Sequence, residues 1–186
     1  MKNKNLALFD FDGTITKQDT FLEFVKFARG KFNFVLGFGL LSPLLILTKI
    51  KLYPNWRAKE RVMSFFFSGM SIAEFDSICD NFAENKIPDY VRPTALDRLS
   101  FHKERGDTIV IITASFENWV IAWARPFSHI LLGTKLSVEI NQLSGRILGK
   151  NCYGIEKVNR LKNTLDISEF GEIYAYGDSR GDREML

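Results

Sequence analysis

The chain has 186 residues, 46% hydrophobic and 25% charged, which suits one domain or a core with one insertion and excludes a disordered chain. Two cysteines far apart, Cys79 and Cys152, exclude a disulfide framework and favour a reducing compartment. The net charge of +3 is uneven: between Lys17 and Arg61 nine Lys and Arg stand against three acids, so that stretch carries +6 and the rest −3. A basic lobe over an acidic one suits an anionic substrate and a bound cation, and equally a solvated basic face.

The polar start, Met1 to Asn5, leads directly into an apolar run without a secretory stretch, so a cytoplasmic location is expected. Leu6-Ala7-Leu8-Phe9 reads as a buried strand that ends at a polar turn, Asp10 to Thr14. Thr20 to Glu23 has capping-box spacing ahead of a short amphipathic helix that closes at Gly30. Phe21, Phe24 and Phe27 fall on one face of it and are expected in the core. Phe32 to Thr48 has no charge. Ser71 to Glu74 opens a helix running towards Asn85, and Pro88 stops that region. Leu96 and Leu99 sit in a helix that ends before Gly106.

From Thr108 the pattern changes. Thr108 to Ile112 suits a central parallel strand ended by Thr113, with a helix through Trp119 and Trp123 after it. Ile130-Leu131-Leu132 reads as a further strand. Leu136–Ile140 and Arg146–Leu148 flank a hairpin loop, Asn141 to Gly145. Ile155 to Leu165 is expected to be helical, and Ile173 to Tyr176 forms the last strand, ending at Gly177-Asp178. This order predicts an α/β fold: a Rossmann-like parallel sheet interrupted after its first strand by a helical cap.

Asp10, Asp12 and Asp178 each follow an apolar strand. In an open parallel sheet, ligands bind beyond the carboxyl ends of the strands, so these acids are expected at one crevice. Single strand-end Asp residues usually cap turns. Three of them repel one another unless a cation sits among them, and hard oxygen donors favour Mg²⁺. One carboxylate can attack phosphorus while its neighbour acts as acid and then base. Gly13 permits a tight turn and leaves room for phosphate. An EF-hand reading fails because Ile15 and Phe21 stand where that loop needs Gly and Glu. Thr113 and the N–H of Ala114 are placed to hold a phosphate oxygen, and Lys157 to neutralise charge. Asp178 and Asp182 share one face of a helix start, so Asp182 is expected to support the metal or position Lys157. Alone, Thr113 would be an N-cap and Lys157 a solvated lysine.

Asp10-Phe11-Asp12-Gly13-Thr14, then Thr113, then Lys157, then Gly177-Asp178-Ser179 to Asp182 resemble the four motifs of the haloacid dehalogenase superfamily, in order and over nearly the whole chain. The insertion resembles the C1-type helical cap of the subgroup with phosphoserine phosphatases. The run Gly145 to Val158 is similar to the IB branch, including phosphatidylglycerophosphatases of the C type. The resemblance implies Asp10 as nucleophile and Asp12 as acid/base. It also implies Mg²⁺ on Asp10, the backbone carbonyl of Asp12, and Asp178, with Ser179 and Asp182 behind the ion. Phosphoserine phosphatases carry Ser where Gly13 stands and a Glu where Asp19 falls; Asp19 is therefore a specificity candidate, and a serine substrate is doubtful. Such relatives usually continue with another strand or helix beyond the fourth motif, and the sequence does not say whether a C-terminal tail follows Leu186.

The uncharged run Phe32 to Thr48, flanked by Lys31, Lys49 and Lys51, is at the lower limit for a membrane span. A helix buried in the cap or at a subunit contact is the first expectation. A peripheral lipid contact is the second. Trp56, Trp119 and Trp123 are expected to pack; His102 and His129 are assigned no role. The expected domains are 1–16 with 92–186 as core and 17–91 as cap. The expected activity is Mg²⁺-dependent phosphomonoester hydrolysis through an aspartyl-phosphate. The substrate is a small metabolite or a lipid phosphate, with phosphatidylglycerophosphate at the membrane surface as an alternative. No nucleic-acid partner is expected. A non-catalytic phosphate-binding or membrane-interaction protein is the contrasting reading.

Overall fold

The computed structural model describes residues 4–128 and 130–186. His129 and most of the polar start therefore lie outside the described residues. Five strands form one sheet in the order β4-β3-β2-β1-β5: β1 Leu6–Phe9, β2 Thr108–Phe116, β3 Ile130–Glu139, β4 Gln142–Leu148 and β5 Ile173–Tyr176. β1 pairs in parallel with both β2 and β5, β2 in parallel with β3, and β4 runs antiparallel to β3. Leu6 to Phe9 and Val110 to Ile112 are buried on both faces, which is why they lack strand-type alternation. This is the α/β sheet that the sequence predicts.

Between β1 and β2 the chain forms α1 Thr20–Lys49, α2 Asn55–Phe67, α3 Ile72–Asn85, the single turn α4 Ile87–Tyr90, and α5 Pro93–Arg105. Asp19 caps α1 by accepting from Phe21 N, and Ser71 caps α3 by accepting from Glu74 N. α5 ends at Gly106 in the left-handed conformation. After β2 come α6 Glu117–Ala124 and, after β4, α7 Ile155–Thr164. α3 packs on α6 and α2 on β4, so the inserted helices lie over the carboxyl-terminal edge of the sheet. Phe24, Phe67, Phe75 and Phe82, together with Trp119 from the core, fill the space between.

Five local expectations need correction. β2 does not end at Thr113 but continues to Phe116, because Phe116 is buried beside Phe21 and Trp119. β3 is one continuous strand through Glu139. The hairpin loop shrinks to Ile140 and Asn141, both at positive φ, as a tight two-residue turn requires. Trp56 is 43% exposed and lies outside the core.

The fifth correction concerns the uncharged run. α1 breaks at Gly30, whose φ of 75° and ψ of 158° are non-helical, and resumes as a second helical stretch. That stretch is not buried. Gly37 is in close contact with α2, where a Cβ would meet the Phe66 ring at 2.2 Å, and Phe34, Phe38, Leu41 and Leu45 face inward. The opposite side exposes Phe32, Val35, Leu36, Leu40, Ile46 and Leu47. α1 is long and apolar enough to cross a membrane by length and composition, and only 6% of its most apolar window is buried.

Candidate active site

Asp10 follows β1, and Asp178 lies two residues beyond β5. Because those strands pair in parallel with Phe9 opposite Tyr176, the two acids leave the sheet on the same edge. The Asp10 N–H donates to Tyr176 O at 2.9 Å, which fixes the turn. Asp178 and Asp182 then approach Asp10 so that an oxygen from each lies within 4.8 Å of the other two. Thr14 Oγ1 donates to Asp10 Oδ2 at 3.2 Å and lies 3.4 Å from Asp178 Oδ1. Three hard carboxylates this close, with one ammonium, Lys157, bonded to only two of them, fit a divalent oxygen-ligated cation.

Gly13 sits at φ 85°, where side chains are disfavoured, and a Cβ there would lie 2.3 Å from Asp178 Oδ2. The open space at Gly13 is therefore occupied by Asp178.

Lys157, near the start of α7, is 2% exposed. Its ammonium donates to Asp10 Oδ1 at 2.5 Å, Asp182 Oδ1 at 2.6 Å and Ile112 O at 3.2 Å. Burial alone would push that ammonium down, but Asp10 and Asp182 outweigh it and hold it above its ordinary value. Burial pushes Asp10 up to about 7, helped by Asp182 and Asp12 and opposed by Lys157. Asp182 is held below the usual carboxylate range: burial raises it, but hydrogen bonds from Lys157 and Ser179 prevail. Its second oxygen accepts from the Ser179 N–H at 3.0 Å and hydroxyl at 2.7 Å, closing a capping box.

Asp12 points elsewhere. Its Oδ1 accepts from Thr20 N at 2.8 Å and Thr20 Oγ1 at 2.6 Å, and its Oδ2 from Ser115 Oγ at 2.6 Å. It thus faces the inserted helices, not the acid cluster. Thr113 is fully buried; its hydroxyl accepts from Ser115 N at 2.9 Å and lies 3.5 Å from Asp12 Oδ2. Asp19 spends an oxygen on its helix cap. Burial and the charge of Asp12 push its carboxyl up.

A cavity of about 370 Å³ joins these groups under the helices. Its floor includes Asp10, Asp12, Ala114, Lys157, Ser179 and Asp182; its roof includes Asp19, Phe38, Leu45 and Lys59. Sequence reasoning missed Thr20, Ser115 and Lys59. Ser115 shares a strand face with Thr113, a period-2 signal that was readable. Lys59 carries no local signal.

A family model described as haloacid dehalogenase-like hydrolase matches residues 7–186. The chain belongs to that family. This hydrolase is 33% identical to protein CicA of Caulobacter vibrioides over 183 residues, covering 97% of this chain and 81% of CicA. It is 29% identical to the probable phosphatase Rv3661 of Mycobacterium tuberculosis over 192 residues, covering 98% of this chain and 66% of that one. A substrate-bound phosphoserine phosphatase shares the fold, with a TM-score of 0.68, 19% identity, and coverage of 100% of this chain and 82% of its own. The hydrolase thus has the Rossmann-like fold with a helical cap.

Proposed function

We propose that this hydrolase cleaves phosphate monoesters through a phosphoryl group carried on Asp10. The observation that supports this most is the division of labour between Asp10 and Asp12. Asp10 is buried against Lys157 beside two further acids, while Asp12 is turned towards the cap by Thr20 and Ser115. Asp10 attacks phosphorus, forming the P–O bond as the ester P–O bond breaks, and Asp12 gives its proton to the leaving alcohol oxygen. Asp12 then takes a proton from water, whose oxygen bonds to phosphorus as the bond to Asp10 breaks. Lys157, Thr113 and the Ala114 N–H are proposed to line the phosphoryl position, while Gly13, first expected to leave room for phosphate, makes room for Asp178 instead.

Mg²⁺ is the proposed cofactor, held by Asp10, Asp178 and the Asp12 backbone carbonyl. When bound, it neutralises charge on the phosphoryl oxygens. Asp182 orients Lys157 and, with Ser179, shapes the loop that carries Asp178. The kinship with Rv3661, named a probable phosphatase, supports the same chemistry. Asp10→Asn should abolish p-nitrophenyl phosphate turnover in Mg²⁺; retained turnover refutes the reading. Phosphate binding without turnover of any monoester would favour a non-catalytic binder.

The proposed domain boundaries are 1–16 with 92–186 and 17–91. The Thr16–Val91 bridge and the Lys17 N to Tyr90 O and Arg92 N to Ile15 O bonds, each 2.8 Å, support them by tying the two crossings together. The substrate is a small phosphorylated metabolite or a lipid phosphate such as phosphatidylglycerophosphate. The lipid reading draws on the exposed apolar side of α1, the flanking Lys31, Lys49 and Lys51, and the Phe38 and Leu45 side chains that reach the cavity. It places a cytoplasmic enzyme peripherally on an anionic membrane.

A further inference from the structure

The side of α2 turned away from the catalytic cavity carries a stripe of its own. Lys59 borders that cavity, whereas Arg57 and Arg61 lie on the opposite side of the helix. Arg57, Arg61, Ser64 and, at the helix end, Ser68 recur at helical spacing and so share one face. α2 lays this face beside β4. Ser64 Oγ donates to Gly145 O at 3.3 Å, and Glu60 Oε1 accepts from Ile147 N at 2.9 Å. The approach is close because position 145 has no side chain: a Cβ there would lie 2.3 Å from Ser64 Cα, on a backbone at φ 75°. Along β4, Ser144 and Arg146 alternate with buried Leu143 and Gly145, so Arg146 leaves the strand away from the core.

Arg57, Arg61 and Arg146 thereby border one hollow of about 550 Å³, with Tyr53 and Trp56 beside them. Arg57 lies over the Trp56 ring at 5.1 Å, which orients its guanidinium. Among the described residues the arginine ion pairs belong to Arg105 and Arg160, and the guanidinium hydrogen bonds to Arg29, Arg92, Arg105 and Arg160. The three arginines of the hollow make neither, so each keeps its fork of N–H donors for something outside the fold. Glu60 is the acid in the wall, and one of its oxygens is taken by Ile147 N. Three arginines against one glutamate leave the hollow positive, and like charges gathered from two elements favour an arriving anion. A carboxylate fills one fork. A phosphate group offers an oxygen to each of several forks, which suits guanidinium groups that come from both α2 and β4.

We propose that this hollow is a second anion site, which takes a phosphate group from solution or from the headgroup of an anionic lipid. It shares no lining residue with the catalytic cavity, so the assignment is independent of the phosphatase reading. Its edge continues into the exposed end of α1, where Ile50 and Leu52 stand in solvent just before Tyr53. A headgroup seated in the hollow puts these apolar side chains beside the bilayer. The competing role is a solvated basic face with no preferred anion.

The test reads the hollow directly by NMR, through the indole N–H of Trp56 and the Nε–H of Arg57, Arg61 and Arg146. Sodium phosphate replaces sodium chloride at constant ionic strength over the full chain in EDTA. These signals should move saturably with phosphate. Arg61→Gln with Arg146→Gln should weaken that binding about tenfold or more, the scale of charged hydrogen bonds, and leave p-nitrophenyl phosphate turnover in Mg²⁺ unchanged. Arg61→Lys with Arg146→Lys, which keeps charge and loses the forks, should retain part of it. Signals that do not respond, or never saturate, mean a solvated face and overturn the site. Trp56 shifts that persist at full strength in the Gln pair mean an effect carried along α2 from the catalytic cavity, and overturn it too. Turnover that falls with the binding would merge the hollow with the catalytic site and end its separate role. Vesicles of phosphatidylcholine with and without phosphatidic acid separate the sources. The control is Lys103→Gln with Lys162→Gln, which removes the same charge from α5 and α7. A loss of co-sedimentation about tenfold greater in the arginine pair than in this control indicates a lipid headgroup. Equal losses, with saturable phosphate binding in wild type, indicate a phosphate from solution.

Discussion

Asp182 Oδ1 lies 2.6 Å from Lys157 Nζ, and both side chains are almost fully removed from solvent. The same ammonium reaches Asp10 at 2.5 Å, so one buried cation joins the end of β1 to the loop after β5. An ammonium so buried needs its partners, because an unpaired charge there lacks the compensation that water would give.

Removing one partner should therefore be costly. Asp182→Asn keeps the shape and discards the charge. Turnover of p-nitrophenyl phosphate is expected to fall about 10- to 100-fold as Lys157 loses its fixed position. Stability should drop by about 3 kcal/mol. Urea unfolding and steady-state kinetics on the same preparation check both. Near wild-type values for both would mean that the pair is dispensable.

Asp10 sets a pH dependence with a definite sign. Its carboxyl is raised from 3.8 to about 7, chiefly by burial. The folded, metal-free chain then binds a proton that the unfolded chain has released between those values. Asp10 therefore lowers stability as pH rises from about 4 to about 7. In EDTA, Asp10→Asn loses a partner of Lys157 at every pH but escapes this pH-dependent penalty, so its melting temperature relative to wild type should be several degrees more favourable at pH 7.5 than at pH 4, corresponding to about 1–3 kcal/mol. An equal shift at both pH values would remove Asp10 titration as the cause.

Gly13→Ala places a methyl group 2.3 Å from Asp178 Oδ2, on a backbone at φ 85°. The left-handed conformation costs about 1–2 kcal/mol, and Asp178 must move away. The Mg²⁺ concentration for half-maximal activity should rise about tenfold, and the thermal shift on adding Mg²⁺ should diminish. Unaltered Mg²⁺ dependence would separate Asp178 from the metal.

The exposed side of α1 predicts binding to lipid. Phe32 is 79% exposed, Leu40 64% and Ile46 61%, next to Lys31, Lys49 and Lys51. Full-length protein should co-sediment with vesicles containing anionic lipid more than with neutral ones, and high salt should weaken this. Leu36→Asp with Leu40→Asp should reduce the bound fraction about tenfold or more. Absence of wild-type binding to anionic vesicles would sink the lipid reading.

Much was legible in the sequence because it is written locally. An apolar run that ends in Asp marks a strand end, so Asp10 and Asp178 could be placed at one crevice without coordinates. Gly106 marks a helix end, and the switch from helical to strand patterning near Thr108 marks the return to the sheet. Those signals rest on backbone preferences and on the rule that strands of a parallel sheet end at a common edge. The direction in which Asp12 points, the space that Asp178 takes over Gly13, and the entry of Lys59 from the opposite wall depend on packing between segments remote in sequence. An uncharged run also reads the same whether it is buried or exposed. The Phe66 ring meets the Gly37 backbone only once α1 crosses α2, and that crossing leaves Phe32 and Leu40 in solvent. Chain-local periodicity fixes which face of a helix is apolar, but only the assembled cap decides whether anything covers it.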